Sequence, residues 1–318
     1  MNLSLASAHA NLALVKYWGK SDEDLILPRS PSLSLTLDAL STTCVAESNT
    51  TGEDAVFIDG EKTESERVLN YLRFLKAELG LESGVIVRSV NHFPQAAGLA
   101  SSASSCAAMA GALVGLSGKN LSLPAISRLA RHGSGSACRS VYGGFATWVE
   151  GDDQTSVAQP LESPLLEDIS VVICLVSREF KSIPSRLGMR MAQSSPLYED
   201  FIYQCHRDFK EACTALRLGD LSTLGDITER NTLAMNRVNQ TARPPLIYPR
   251  EKTEMICELA KQLREEGIAC WYTNDAGANA FLITQEQFAP LIAQRVHSRF
   301  DVETIIAGPG PGLEVRHA

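Results

Sequence analysis

The sequence predicts an α+β fold with more strands in the first half of the chain and more helix in the second. Short β-branched and apolar runs bounded by Gly, Asp or Asn indicate strands, and helix-period segments lie between them. Two early runs, 43–47 and 55–58, are separated by a short polar turn, which predicts an antiparallel hairpin. No Gly-x-Gly-x-x-Gly fingerprint follows the first strand, which argues against a doubly wound nucleotide-binding sheet.

The individual elements follow from periodicity and from stop signals. The strand candidates are 43–47, 55–58, 84–90, 170–176, 280–284 and 303–307. In 64–79, apolar residues recur at helical spacing from Val68 to Leu79, and Gly80 follows as a natural stop. The other helix candidates are 104–115, 124–132, 200–218, 221–239, 251–266 and 285–299. We expect an N-terminal domain over 1–185 and a C-terminal domain over 186–318, because a polar segment near 181–186 leaves one strand before the long helices.

Composition limits the possible functions. The chain has 318 residues, 44% of them hydrophobic and 21% charged, which is an ordinary globular mixture that suits one large or two medium domains. A formal net charge of -8 argues against a general binder of nucleic acids or anionic membranes, although a local basic pocket remains compatible with it. Because no secretory signal and no long apolar segment occur, we expect a cytoplasmic protein without a membrane partner.

Cysteine and histidine give no sign of metal or hydrolase chemistry. The eight cysteines form no C-x-x-C pair and no cluster at zinc spacing, so we expect mostly buried thiols. None of the six histidines lies at an obvious metal spacing, and no G-x-S-x-G elbow occurs. A Ser-His-Asp hydrolase is therefore poorly supported, and the metal ligands stay unknown.

The segment 94–108 is the most informative part of the chain. It packs small residues and hydroxyls into a turn that runs directly into an Ala-rich helix. Gly98 lets the backbone approach a ligand, while Ser101, Ser102, Ser104 and the first free N–H groups of the helix offer donors to an anion. A phosphate-binding loop is predicted, although a Ser/Ala linker or a tightly packed helix would also fit the composition.

Three further segments carry candidate functional residues. In NLALVKYWGK (11–20), Lys16 and Lys20 would share one face of a strand and could bind a diphosphate or carboxylate, or could simply protect a solvated edge. In the Gly/Ser-rich run 131–144, Arg139 suits bidentate binding of a carboxylate. Two apolar strands around 271–283 are joined by a turn at Asp275, which taken alone reads as a turn former.

Together these segments resemble the diphosphomevalonate decarboxylases of the galactokinase/homoserine kinase/mevalonate kinase superfamily. The resemblance spans nearly the whole chain. It rests on NLALVKYWGK (11–20), PRSPSLSLTL (28–37), PQAAGLASSAS (94–104), GSGSACRS (133–140), RPP (243–245) and DAGAN (275–279).

The resemblance implies a fold and a reaction. The implied fold is an N-terminal ribosomal-protein-S5-like α/β domain and a C-terminal ferredoxin-like domain with the active site in the cleft between them, in a homodimer. The implied reaction uses ATP and Mg²⁺ to phosphorylate the 3-hydroxyl of mevalonate diphosphate, after which phosphate and carbon dioxide leave to give isopentenyl diphosphate, a step of isoprenoid biosynthesis. Phosphoryl transfer needs positioning and charge neutralisation more than covalent help.

The resemblance also assigns roles to residues. It makes Asp275 the catalytic aspartate that orients or deprotonates the hydroxyl, Lys16 the neighbouring cation and Arg139 the group that holds the substrate carboxylate. Residues matching positions that hold the substrate diphosphate or its neighbouring groups are Tyr17, Lys20, Ser134, Ser136, Ser185 and Arg186. Gly98, Ser101, Ser102 and Ser104 match the ATP-phosphate loop, with Ser102 preferred near the transferring phosphate.

Departures from the family pattern and competing functions stay open at this point. Pro184 stands where relatives often have Ser, Asn236 where His is common, and Ala278 where the turn usually carries Pro. The alternatives are a decarboxylase that prefers mevalonate monophosphate, a small-molecule kinase of the same superfamily without decarboxylation, and an ATP-binding module without turnover.

Overall fold

The computed structural model describes residues 3–92, 101–177 and 183–317. The strands are β1 (Leu3–Val15), β2 (Lys20–Asp22), β3 (Leu27–Pro28), β4 (Ser32–Asn49), β5 (Ala55–Ile58), β6 (Glu61–Lys62), β7 (Gly84–His92), β8 (Phe145–Trp148), β9 (Ala158–Leu161), β10 (Ile169–Cys174), β11 (Cys270–Asn274), β12 (Ala280–Gln285), β13 (Thr304–Ala307) and β14 (Glu314–His317). The helices are α1 (Glu66–Leu79), α2 (Ser101–Ser117), α3 (Leu123–Gly133), α4 (Ser185–Ala192), α5 (Tyr198–Leu218), α6 (Leu221–Thr241), α7 (Glu251–Glu265) and α8 (Ala289–Phe300). Short 3₁₀ helices cover Gly135–Val141, Pro164–Glu167 and Glu286–Phe288. The predicted α+β class is confirmed, and every strand and helix candidate overlaps an observed element of its type.

The first sheet has eight strands, in the order β14-β1-β4-β7-β5-β6, with β8 paired to β4 and β9 to β8. Burial alternates along the start of β1 and becomes continuous from Ala10 onwards. The first part of β1 therefore has one solvent-facing side, whereas the second part is covered on both faces. This strand leads the chain into the interior of the protein, where Lys16 follows its last residue.

Helix α2 is the central helix of the first half. Its residues are small and mostly buried, and it lies against β1 and β4. A Cβ atom added at Gly115 would lie 2.0 Å from Ser4 Oγ, so the helix and the sheet approach too closely for a side chain at that position. A helix that is apolar on all sides is buried on all sides, which explains why the Ala-rich composition gives no amphipathic pattern.

The second sheet has the order β11-β12-β10-β13, and all its pairings are antiparallel. Its two faces have different partners. Val172 and Cys174 pack in a core with α7 and α8, whereas Val171 and Ile173 belong to the larger core shared with the first sheet. Burial on both faces accounts for the continuous apolar run in β10, since successive side chains of a strand point to opposite faces.

Two expectations differ from the structure. The predicted hairpin of 43–47 with 55–58 was wrong, because β7 lies between β4 and β5, pairing antiparallel with the first and parallel with the second. The division at residues 185/186 stays a prediction. Strand β10 precedes that position yet pairs in the second sheet, and β14 returns to pair with β1 in the first sheet.

Candidate active site

Lys16 and Asp275 form an ion pair between the two sheets. Lys16 Nζ lies 2.8 Å from Asp275 Oδ1 and donates a second hydrogen bond to the carbonyl of Ala13. The lysine side chain is 2% exposed and that of the aspartate 28%. Asp275 begins the turn between β11 and β12. Its partly exposed carboxylate therefore pairs with an ammonium group that is almost completely buried.

The charged groups of the site act on one another. Burial lowers the pKa of Lys16, the charge and hydrogen bond of Asp275 oppose that change, and the charge of Arg139 adds to it. Burial also lowers the pKa of the Arg139 guanidinium, which the charge of Asp275 raises. Two cations and one carboxylate from distant parts of the chain therefore lie within electrostatic reach of each other.

Arg139 is held by neutral acceptors. It belongs to the 3₁₀ helix that follows α3 and is 1% exposed. Its Nε donates to Ser34 Oγ at 2.9 Å, and its two Nη atoms donate to Ser32 Oγ at 2.6 Å and to Asn11 Oδ1 at 3.2 Å. Within the described ranges no carboxylate forms an ion pair with this guanidinium. Since guanidinium has about five N–H donors, donors remain for an anionic ligand.

Tyr17 lines the same region. Its hydroxyl is buried and has no hydrogen-bond partner in the described part of the chain. The ring meets Trp148 edge to face, with centroids 4.7 Å apart. Gly135 faces the same ring, where an added Cβ would lie 2.7 Å from it. A buried hydroxyl without a partner is unfavourable in the free protein, and a polar ligand would satisfy it.

Lys20 has a local partner. Its Nζ donates to Glu23 at 2.6 Å, and the same carboxylate accepts from Arg190 of α4 at 3.2 Å.

Helix α4 begins at Ser185, after Pro184, and carries Arg186; both Ser185 and Arg186 are half-buried. The prediction that Lys16 and Lys20 share one strand face was wrong, because β1 ends at Val15 and residues 16–19 are irregular.

The predicted phosphate loop is described only in part. Gly98 and the rest of 94–100 lie outside the described residues. Ser101 and Ser102 open α2 and are half-buried, and Ser102 Oγ lies 3.3 Å from Ser134 Oγ. Ser104 is fully buried, and its hydroxyl lies 2.8 Å from Thr42 Oγ1. Ser102 and Ser134 thus bring two predicted subsites together, whereas Ser104 ties α2 to β4.

Ser136 contributes its backbone to this region. Its carbonyl accepts from Asn11 Nδ2 at 3.0 Å, and the same amide nitrogen lies 2.8 Å from Ser140 Oγ. Asn11 therefore links the 3₁₀ helix to β1 while it accepts from Arg139. The motif at 11–20 includes Asn11, but the sequence predicted no role for this residue. No group of three potential metal-binding side chains occurs among the residues that the structure covers.

Helix α6 supplies contacts that the sequence did not predict. Asn231 Oδ1 accepts from the backbone N–H of Lys16 at 2.9 Å. Asn236 Nδ2 donates to Asn274 Oδ1 at 3.0 Å, directly before Asp275. Asn231, Asn236 and Asn239 all lie within 221–241, but 231 and 236 are five positions apart and do not share one helix face, so spacing alone did not mark them.

The other two departures from the family pattern, Ala278 and Pro184, lie outside the helices and strands. Ala278, in the turn after Asp275, accepts a hydrogen bond at its carbonyl from Thr253 of α7. This bond holds the turn through its backbone, which does not require proline at 278. Pro184 is the residue before α4 and is exposed.

Comparisons with known proteins identify the family of the chain. A family model described as diphosphomevalonate decarboxylase-like N-terminal domain matches residues 8–158, and one described as mevalonate 5-diphosphate decarboxylase C-terminal domain matches residues 171–309. A diphosphomevalonate decarboxylase of Debaryomyces hansenii is 35% identical over 311 residues, which are 89% of this chain and 80% of the relative.

Solved structures match over the full length. A structure described as MDDEF in complex with MVAPP, AMPPCP and magnesium superposes with a TM-score of 0.95 at 35% identity, covering 100% of this chain and 99% of the other. The mevalonate diphosphate decarboxylase of Staphylococcus aureus gives 0.95 at 35% identity, covering 99% and 98%. The chain belongs to the diphosphomevalonate decarboxylase family.

Proposed function

We propose that the protein catalyses the ATP-dependent decarboxylation of mevalonate diphosphate to isopentenyl diphosphate, with release of ADP, phosphate and carbon dioxide. The observation that carries the proposal is the 2.8 Å contact of Lys16 with Asp275, within electrostatic reach of a buried Arg139 that has no acidic partner of its own in the described ranges. A related structure of 35% identity contains MVAPP, AMPPCP and magnesium.

Asp275 orients the tertiary hydroxyl and accepts its proton as the oxygen attacks phosphorus. An acid or base must lie within hydrogen-bond reach of the proton that it transfers, and the partial exposure of Asp275 leaves one side open to substrate. Lys16 stays beside this carboxylate and stabilises the negative charge that gathers as the phosphoryl group arrives. Its burial strengthens that interaction, because charges attract more strongly where water is excluded.

Arg139 binds the substrate carboxylate with the donors that its protein partners leave. In the second stage the C3–O bond breaks and phosphate leaves with the bonding electrons. The C–C bond to the carboxylate then breaks, its electron pair forms the new double bond to C3, and carbon dioxide is released. A fixed guanidinium keeps the breaking bond aligned with the electron-deficient centre.

Tyr17, Lys20, Ser134, Ser136, Ser185 and Arg186 are proposed to hold the diphosphate and its neighbouring groups. The unpartnered Tyr17 hydroxyl supports this assignment. On the nucleotide side, Ser101, Ser102 and the first N–H groups of α2 fit phosphate oxygens. Gly98 and Ser104 are proposed as parts of the ATP-phosphate loop. Ser104 would support this loop by its hydrogen bond with Thr42, which ties α2 to β4.

Mg²⁺ takes oxygen ligands and keeps most of them as phosphate oxygens and water. The half-buried Ser102 would supply one hydroxyl oxygen to such an ion. When bound, the metal ion neutralises the charge of the phosphates.

The direct test incubates the protein with ATP, Mg²⁺ and mevalonate diphosphate, and quantifies ADP, phosphate and carbon dioxide in the same samples. We expect equal amounts of the three products. ADP without carbon dioxide would indicate a kinase, and nucleotide binding without ADP would indicate a binding module. Mevalonate monophosphate, run in parallel, would have to be turned over more slowly than the diphosphate.

We also propose a cytoplasmic homodimer without nucleic-acid or membrane partners. All eight cysteines are free, and six of them are buried, which suits a reducing compartment. None of the helices in the described ranges is long and apolar enough to cross a membrane. Light scattering on the purified protein would test the dimer, and a monomer mass at micromolar concentration would contradict it.

A further inference from the structure

One helix contacts the backbone next to both members of the Lys16–Asp275 pair. Helix α6 lies between the end of β1 and strand β11. Within it, Asn231 and Thr232 are fully buried and Asn236 is half-buried. Their polar groups point in two directions, toward the Lys16 segment and toward the end of β11, and each direction is defined by hydrogen bonds.

Toward Lys16, Asn231 replaces a missing strand partner. Lys16 follows the last residue of β1, so its buried N–H has no ladder bond there, and Asn231 Oδ1 accepts it at 2.9 Å. The amide is itself fixed, because its Nδ2 donates at 2.9 Å to Asp208 of α5. Asp208 is fully buried and paired with Arg230. The position of the Lys16 backbone is therefore set by a chain of buried polar contacts.

Toward Asp275, two side chains of α6 hold the end of β11. Thr232 Oγ1 lies 2.8 Å from Thr273 Oγ1, and Asn236 Nδ2 lies 3.0 Å from Asn274 Oδ1. Asn274 Nδ2 in turn donates to the backbone carbonyl of Asp275 at 3.0 Å. The carboxylate thus starts its turn from a backbone that α6 fixes through one intermediate amide.

We propose that Asn231 and Asn236 are positioning residues that set the distance between Lys16 and Asp275 from a single rigid element. The two amides are separated by about one and a half helical turns, so a shift of the Lys16 backbone relative to the end of β11 would strain the buried bond of Asn231 or the part-buried bond of Asn236. An apolar side chain could fill the same space, but it would leave the N–H of Lys16 or the amide of Asn274 without its partner.

This inference rests on the proposed function where it is tested by kinetics. Its second test, the distance between Lys16 and Asp275 in the variants, does not depend on that function. In Asn231→Ala and Asn236→Ala we expect kcat to fall about 10- to 100-fold, because small displacements of reacting groups have effects of that size. The KM values for nucleotide and phosphorylated substrate should stay within about threefold, since neither amide is assigned to bind them. In crystal structures, the Lys16 Nζ–Asp275 Oδ1 distance, 2.8 Å here, should be longer in the variants than in the unmodified protein solved alongside them.

Two further variants serve as comparison. Asn236→His replaces the amide by a ring N–H that can donate to Asn274, so its kcat should stay within about threefold of that of the unmodified enzyme. Gln240→Ala removes an exposed amide from the same helix and should leave kcat unchanged. If Asn231→Ala does not fold, the half-buried Asn236 site still carries the test.

The outcomes separate the two ideas. An unmodified enzyme that does not turn over mevalonate diphosphate defeats the proposed function, while the distance in the variant crystals still tests the positioning. An unchanged distance in both alanine variants, or a loss expressed only in KM, would overturn the positioning inference even in a fully active decarboxylase.

Discussion

Replacing Arg139 by lysine keeps the positive charge but removes the planar arrangement of hydrogen-bond donors. The guanidinium contacts three neutral acceptors at 2.6 to 3.2 Å, on Ser34, Ser32 and Asn11, and its centre lies 6.0 Å from the ring of Trp148. A lysine ammonium group is a single nitrogen on a flexible stem. It cannot reach three acceptors that were arranged around a planar fork and also present two parallel donors to a carboxylate.

The size of the effect follows from the hydrogen bonds that the substitution removes. A hydrogen bond to a charged group contributes about 1.5–3 kcal/mol, and Arg139→Lys removes at least one of the two bonds to the substrate carboxylate. At about 1.4 kcal/mol for each factor of ten, kcat/KM should fall about 10- to 150-fold. We expect a further loss of about 1–3 kcal/mol in the free energy of unfolding, because Ser32, Ser34 or Asn11 loses a buried donor.

The assay is steady-state release of phosphate and carbon dioxide over a range of mevalonate diphosphate concentrations, with denaturant unfolding of the same preparations. Arg29→Lys is the matched control, since that arginine is 46% exposed and pairs with an exposed glutamate. It should leave kcat/KM unchanged. A near-normal kcat/KM for Arg139→Lys would refute carboxylate binding at this position.

Three other changes have distinct expected results. Asp275→Asn should lower kcat about 10²–10⁴-fold while calorimetry still detects ATP binding, because the variant loses a positioned base; near-normal turnover would remove this carboxylate from the mechanism. Tyr17→Phe should raise KM for the phosphorylated substrate about tenfold without lowering the free energy of unfolding, since the hydroxyl has no described partner in the free protein, and a destabilised variant would contradict this. Asp153 pairs with the fully buried Arg131; burial raises the pKa of this carboxyl, but a histidine hydrogen bond and the nearby arginine charges lower it overall. Its contribution is present above its unfolded pKa of about 4 and is lost as pH falls through the folded value. Asp153→Asn should therefore cost about 1–3 kcal/mol in denaturant unfolding at pH 7, and this cost should shrink as the pH falls through the folded-state pKa of Asp153, where the native carboxyl becomes neutral as well; a difference that does not change with pH would count against this reasoning.

Local patterns predicted the elements well, and pairing between them less well. Segment 84–90 was predicted as a strand from its β-branched residues, and β7 covers it. The same reasoning could not predict that β7 lies between β4 and β5, because pairing depends on contacts distant in sequence that a short polar turn does not reveal. The closeness of 43–47 and 55–58 in sequence favoured a hairpin, but in the folded protein each of these strands pairs with β7 instead.

At the site, the set of ordered motifs was more informative than any single residue or spacing. Asp275 alone read as a turn former, and only its family resemblance assigned it a role. The structure adds that 259 positions along the chain separate it from Lys16, a contact that no periodicity encodes. Asn231 was missed for a related reason: an amide on a helix is commonly solvent-facing, and its burial depends on where β1 ends.

The pairing of β14 with β1 has a consequence for dissection of this protein. Because the final strand joins the opening one, residues 169–307 are inserted between two parts of the same sheet rather than appended to it. Cutting the polypeptide after residue 168 would remove β14 from the Ser4–Ser7 edge of β1 and leave backbone groups there unpaired, which favours self-association. Anyone seeking an independently expressed half should therefore retain the C-terminal strand through a linker or a circular permutation.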